Sequence, residues 1–120
     1  MTTADLPDLR RLAANNLISY SSHALDQMLD RGISQFDIKN VLSSPTNQLI
    51  EIQSPSKTPG KEHQDERVLV ADPQYCDRII VILVVIYSPY PELRVITAEY
   101  AKDEKWDVRI NDNPWLVRKP

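Results

Sequence analysis

Apolar residues along this chain change their period twice, from helical spacing near the N-terminus to alternation and then to an unbroken run. Between Asp5 and Asn15, Leu6, Leu9, Leu12 and Ala13 recur as on one face of a helix, and Pro7 is acceptable in a first turn. A short amphipathic helix is predicted there. Leu17 to Tyr20 reads as a brief extended link. Stepping about 100° per residue from His23, Leu25, Met28 and Leu29 gather on one side, while Asp26, Gln27, Asp30 and Arg31 gather with His23 on the other. The pattern predicts a helix of about three turns whose packed side is Leu25, Met28 and Leu29 and whose wet side carries a histidine. Ser21 or Ser22 suits its N-cap, and Gly32 suits a left-handed end after Arg31. Ser34 to Asp37 then offers a start resembling a capping box, and Ile38, Val41 and Leu42 give the next helix its own stripe up to Pro45.

Beyond Pro45 the period becomes two. Gln48 to Gln53 alternates with Ile50 and Ile52 on one side, which predicts a half-buried strand. Ser54 to Asp65 is rich in Pro, Ser and charge, has no period, and is expected to be a long connection carrying His63. A second strand is predicted over Glu66 to Ala71 and a turn over Asp72 to Asp77. Arg78 to Tyr87 is apolar and β-branched at nearly every position, the signature of a central strand covered on both faces. Glu92 to Ala101 supplies a fourth strand, with Leu93, Val95, Thr97 and Glu99 on one side and Arg94, Ile96, Ala98 and Tyr100 on the other. Lys102 to Pro120 is too apolar for a free tail. Its Trp106, Val108, Ile110, Trp115, Leu116 and Val117 are expected to fold back over the sheet face opposite the helices, the alternative being an anchor on another chain.

Composition narrows the class. At 120 residues, 42% hydrophobic and 26% charged, the chain is expected to form a single domain over 1–120, with an N-terminal helix (1–16), a core (17–101) and a C-terminal extension (102–120). One cysteine, Cys76, makes an internal disulfide framework impossible and points to a reducing, cytoplasmic setting. Met1 to Leu12 is charged rather than apolar, so no secretory leader is expected. The run from Ile79 to Ile86 is far shorter than the ~20 residues of a bilayer crossing, so no membrane partner is expected either. A net charge of −3 argues against a surface that is basic all round. Any nucleic-acid contact must be a local patch. His23, His63 and Cys76 lack the short spacing of specific zinc motifs, so no metal and no cofactor are expected.

The words H-A-L-D-Q-M-L-D-R-G-I-S from His23 to Ser34, the apolar helix to Pro45, a meander of strands, and R-V-I-T-A-E-Y from Arg94 to Tyr100 resemble a small bacterial family of unknown function. That family in turn looks like a branch of the RelE and barnase-like ribonuclease toxins. The resemblance covers roughly Leu17 to Ala101. In this chain the last strand reads Thr-Ala-Glu-Tyr where the pattern has Thr-Val-Tyr, which displaces its aromatic. The resemblance implies an α+β fold, with two to three short helices packed on a four-stranded, mainly antiparallel sheet.

It also implies metal-free cleavage of RNA by a toxin-like endoribonuclease held by a cognate antitoxin or another protein partner. Such a reaction needs a base, an acid and positive donors around a crowded phosphate. His23 suits the first or second task, because an imidazole exchanges protons near neutral pH. Arg31 would present a planar fork to a phosphate, Thr97 would hydrogen-bond it from the sheet, and Glu99 would be a second acid or base. Arg67 and Arg78 are further phosphate-binding candidates near strand starts. The plainer roles are an imidazole beside Asp26 or Gln27 on a wet helix face and an ion pair from Arg31 to Asp26 or Asp30. Arg10 and Arg11 read as solvated charges at the end of the first helix. A different class remains open beside the enzyme: a non-catalytic module of the same fold that binds a protein, or a second copy of itself, through a sheet edge or the Trp106 and Trp115 tail.

Overall fold

The computed structural model describes residues 6–53, 67–74, 79–87, 92–102, 104–109 and 116–119. The connection expected over 54–65, and with it His63, Cys76, Arg78 and Trp115, lies outside them. The chain begins with α1 (Leu6–Ala14), whose Leu9, Leu12 and Ala13 are buried. Asn16, at φ 61°, turns it into β1 (Ile18–Tyr20). Next come α2 (Ser22–Arg31) and α3 (Gln35–Ser43), then β2 (Gln48–Gln53), β3 (Arg67–Ala71), β4 (Ile80–Tyr87) and β5 (Glu92–Tyr100). Two short strands, β6 (Trp106–Val108) and β7 (Leu116–Arg118), finish the described chain as an antiparallel pair.

The helix ends form where local chemistry demands. Ser21 Oγ accepts the Ala24 N–H at 3.0 Å, and Ser34 and Asp37 close a reciprocal capping box at 2.9 and 3.0 Å. Gly32 ends α2 at φ 69°, with its N–H on the Met28 carbonyl. A Cβ added at Gly32 meets nothing within 4 Å, so the cost of Gly32→Ala is backbone strain alone. We expect a loss of about 1 kcal/mol in urea unfolding, with Gly32→Asn losing less.

The sheet is five-stranded and mixed, in the order β1-β5-β4-β3-β2, with β1 parallel to β5 and the other pairs antiparallel. The α+β class stands, with three helices, while the expected four strands become five. The segment read as a link is the extra strand: β1 pairs Ile18, Ser19 and Tyr20 with Leu93, Arg94 and Val95.

Two apolar layers flank the sheet. On one face α1, α2 and α3 bury Leu9, Leu12, Met28, Ile38 and Leu42 against Val68, Val70, Ile80, Ile82 and Val84. On the other, Trp106 and Leu116 of the β6–β7 pair cover Ile50, Leu69, Val81 and Leu83. Of the tail, Trp106 and Leu116 therefore lie over the face opposite the helices while Val108 is exposed, and β4 is buried on both sides from Ile80 to Val85, as its composition demands. Arg118 fastens that cover, donating to both Glu51 oxygens at 3.0 and 3.1 Å and lying 4.6 Å from the centre of the Trp106 ring.

Two β-bulges change which residues share a face. Leu83 pairs with Thr97 but Val84 pairs with Val95, so Ile96 is an extra residue in β5. The helix-side set is Leu93, Val95, Ala98 and Tyr100, whereas strict alternation put Thr97 and Glu99 with Leu93 and Val95. A second bulge at Ile50 splits the expected pair on β2: Ile50 joins the hairpin-side layer and Ile52 is exposed.

Candidate functional site

β1 is only three residues long, and when it ends the outer edge of β5 needs other partners. Helix α2 supplies them with side chains. Ser21 Oγ donates to the Ile96 carbonyl at 3.1 Å, and the Ala98 N–H donates to Gln27 Oε1 at 3.1 Å. Both contacts advance in the same direction along the two elements, so α2 runs beside the second half of β5. This explains why its buried stripe differs from the expected one. Ala24 and Met28 face the core, Gln27 faces the strand edge, and Leu25 and Leu29 are left exposed, Leu29 at 84%.

His23 is exposed. Around the helix axis Gln27 lies about 100° from Met28, and His23 lies about 40° further on. Met28 belongs to the helix-side core and Gln27 is tied to the edge, so the imidazole is on the side of α2 that looks past β5 toward the opposite face. On that face, by cross-strand register, Thr97 stands opposite Leu83 and Glu99 opposite Val81, both of the hairpin-side layer. By helical spacing His23 thus falls on the Gln27 flank of α2, the flank that borders β5.

The arginines divide. Arg31 is half-buried, on the Ala24 side of Gln27, and about 12 Å along the axis from His23. The two side chains thus start from positions about two turns apart on α2. Among the described residues Arg31 has no ion pair with Asp26 or Asp30. Arg67, on β3, shares the Thr97 face but stands two strands away and two residues along, about 12 Å. Glu99 is within electrostatic reach of Arg118, whose guanidinium pKa is raised first by its hydrogen bonds to Glu51 and then by attraction to Glu51 and Glu99. Arg10 departs from the solvated reading, since it is half-buried and bonded to Asn47, whereas Arg11 forms an exposed pair with Asp8 at 3.4 Å.

Sequence reasoning missed Gln27, which no pattern marks as a strand partner, and Arg94, which the bulge places on the same face as Thr97. It also missed a cleft of about 360 Å³ along the outer edge of β1, lined by Asn16, Ile18, Tyr20, Gln35, Phe36 and Lys39. Phe36 is 72% exposed. Burial raises the Tyr20 phenol above its ordinary 10.0. A raised phenol favours folding fully below pH 10 and loses that contribution as the pH climbs through the folded-state value. Absorbance titration should show a late-titrating phenol that is lost in Tyr20→Phe, and that variant should keep more of its stability above pH 10.

Among the described residues no three His, Cys, Asp or Glu side chains stand together as metal ligands, and no helix is long and apolar enough to cross a membrane. Three helices on a mixed sheet, with one helix standing in for an edge strand, define an α+β domain organised around β5. The chain matches, over residues 20–100, the family described as a domain of unknown function (DUF4258), and it belongs to that family. No curated protein and no solved structure matches it.

Proposed function

We propose that this chain is a toxin-like, metal-independent endoribonuclease with a RelE- or barnase-like ancestry, acting on RNA and restrained by a cognate antitoxin or other protein partner. The observation that supports the reading is the exposure of His23 on α2, close around the helix from Gln27, which bonds the edge of the strand whose other face carries Thr97, Glu99 and Arg94.

In this reading a base removes the proton of a ribose 2′-hydroxyl, and the new oxygen–phosphorus bond forms as the bond to the 5′-oxygen breaks. An acid returns a proton to that leaving oxygen. The products are a 2′,3′-cyclic phosphate and a 5′-hydroxyl. His23 takes one proton-transfer role, Thr97 donates a hydrogen bond to the phosphate, and Arg31, Arg67 and Arg78 supply positive charge along the substrate. Glu99 is the second acid–base candidate, although its nearness to Arg118 also fits a part in holding the β6–β7 cover. The test is cleavage of single-stranded RNA in excess EDTA, compared with His23→Ala.

A second reading rests on a different place. β1 is a sheet edge, and the cleft with exposed Phe36 beside it suits a binding module that accepts an extended segment of a protein partner or of a second copy. Trp106, at 4% exposure, is buried against the sheet within the chain.

A further inference from the structure

One register row crosses all five strands on the face opposite the helices: Ser19 of β1, Arg94 of β5, Val85 of β4, Arg67 of β3 and Gln53 of β2. Each neighbouring pair is directly opposed, so the five side chains stand on one side of the sheet. Val85 at the middle is buried, and the arginines flanking it are half-buried. Among the described residues no carboxylate pairs with either arginine. At the end of the row Ile18 and Tyr20 pack into the helix-side core, which turns Ser19 to the same face as Arg94. Ser19 Oγ is buried and, among the described residues, has no hydrogen-bond partner.

A buried hydroxyl without a partner costs stability, and two unpaired guanidiniums about 10 Å apart repel one another. An anionic ligand with acceptor oxygens relieves both. We infer that the row Ser19–Arg94–Arg67–Gln53 is a phosphate-binding track for a single-stranded polynucleotide laid across the strands. The backbone passes from Gln53 on β2 over Arg67 and Arg94, and at the β1 end Ser19, whose hydroxyl is closed to solvent in the free chain, donates to a phosphate oxygen as the side chains around it part. Thr97 and His23 lie next to that end, three residues along β5 and over its edge, so the track positions the strand for the cleavage proposed above and rests on that reading for its substrate. Arginine suits the task, because its planar fork grips phosphate oxygens in pairs.

The probe is a fluorescent single-stranded oligodeoxynucleotide of about eight nucleotides, which lacks the 2′-hydroxyl and so reports binding without cleavage. Arg94→Gln and Arg67→Gln should each weaken its binding roughly tenfold and lower the slope of log Kd against log salt by about 0.7. Arg11→Gln, on the helix side and paired with Asp8, should stay within about twofold of wild type. Ser19→Ala carries the sharpest signature. It should raise Tm by a few degrees by removing an orphaned hydroxyl, and yet weaken oligonucleotide binding several-fold. A merely structural serine would move both in one direction.

Loss of affinity in the three row variants, with Arg11→Gln unchanged, supports the track. Equal losses in Arg11→Gln and the row variants, or no binding of the probe to the wild-type chain, overturn it. Binding that depends on the row in a protein that does not cleave RNA sinks the nuclease and leaves the track. RNA cleavage that survives Arg67→Gln and Arg94→Gln unchanged does the reverse.

Discussion

Asn47→Ala is expected to lower the unfolding free energy by about 3–4 kcal/mol, a large part of the roughly 5–15 kcal/mol that holds a domain of this size together. Asn47 is 2% exposed and every polar atom of its side chain is engaged. Its Nδ2 donates to the Val41 and Leu42 carbonyls at 2.8 and 2.9 Å, closing the end of α3. Its Oδ1 accepts from Arg10 Nε at 2.8 Å, and its backbone carbonyl accepts from the same guanidinium at 2.9 Å. One side chain thus ties α1 to the C-terminus of α3. Alanine would leave the Leu42 carbonyl and the Arg10 Nε without their side-chain partner and the Val41 carbonyl with only the long bond from the Ser44 N–H, and each orphan costs about 1–3 kcal/mol. Asn47→Asp separates the terms, because it keeps an acceptor for Arg10 but loses both donors and sets a negative charge at the negative end of α3. It should also destabilise, and Arg10→Gln should cost less than either. Urea unfolding at neutral pH decides the matter. An Asn47→Ala midpoint close to that of wild type would mean that water replaces the side chain at no cost.

What the sequence disclosed follows how local each decision is. The ends of α2 and α3 were readable because Ser34 with Asp37, and Gly32 with the preceding turn, settle their geometry within a few residues. The double burial of β4 was readable from its unbroken β-branched run, and it required the tail to act as the second cover. Residues 18–20 looked like a link because their strand partner, Leu93 to Val95, lies at the far end of the core. The faces of β5 were misread for a related reason. One extra residue at Ile96 reverses the alternation, and nothing in R-V-I-T-A-E-Y marks where it falls. The same bulge puts Arg94 and Thr97 on one face, so the site as drawn from alternation lacked its best-placed arginine. Gln27 was assigned to water because it is polar. It faces the sheet because a β5 amide beyond the end of β1 has to be satisfied.

His23→Ala is expected to reduce RNA cleavage in EDTA by 10²–10⁴-fold, the usual range for a general acid or base, or about 3–5 kcal/mol in barrier height. The imidazole is exposed and accounts for none of the cap or edge bonds of α2, which belong to Ser21, Gly32 and Gln27. The substitution should therefore change stability by no more than about 0.5 kcal/mol, and a lost activity will not be a lost fold. Thr97→Val tests the neighbouring donor. Loss of one hydrogen bond to the transition-state phosphate should lower the rate by roughly 10²-fold, with little change in KM if the bond forms only there. Glu99→Gln discriminates between two roles on one strand. If Glu99 transfers a proton, its loss should rival that of His23. If it chiefly faces Arg118, the rate should hold while the β6–β7 cover loosens, seen as faster hydrogen exchange at Trp106. Cleavage by His23→Ala at the wild-type rate would remove the imidazole from the chemistry. A wild-type chain that leaves RNA intact would shift the weight to the reading as a binding module, tested at the β1 edge where exposed Phe36 lines the cleft.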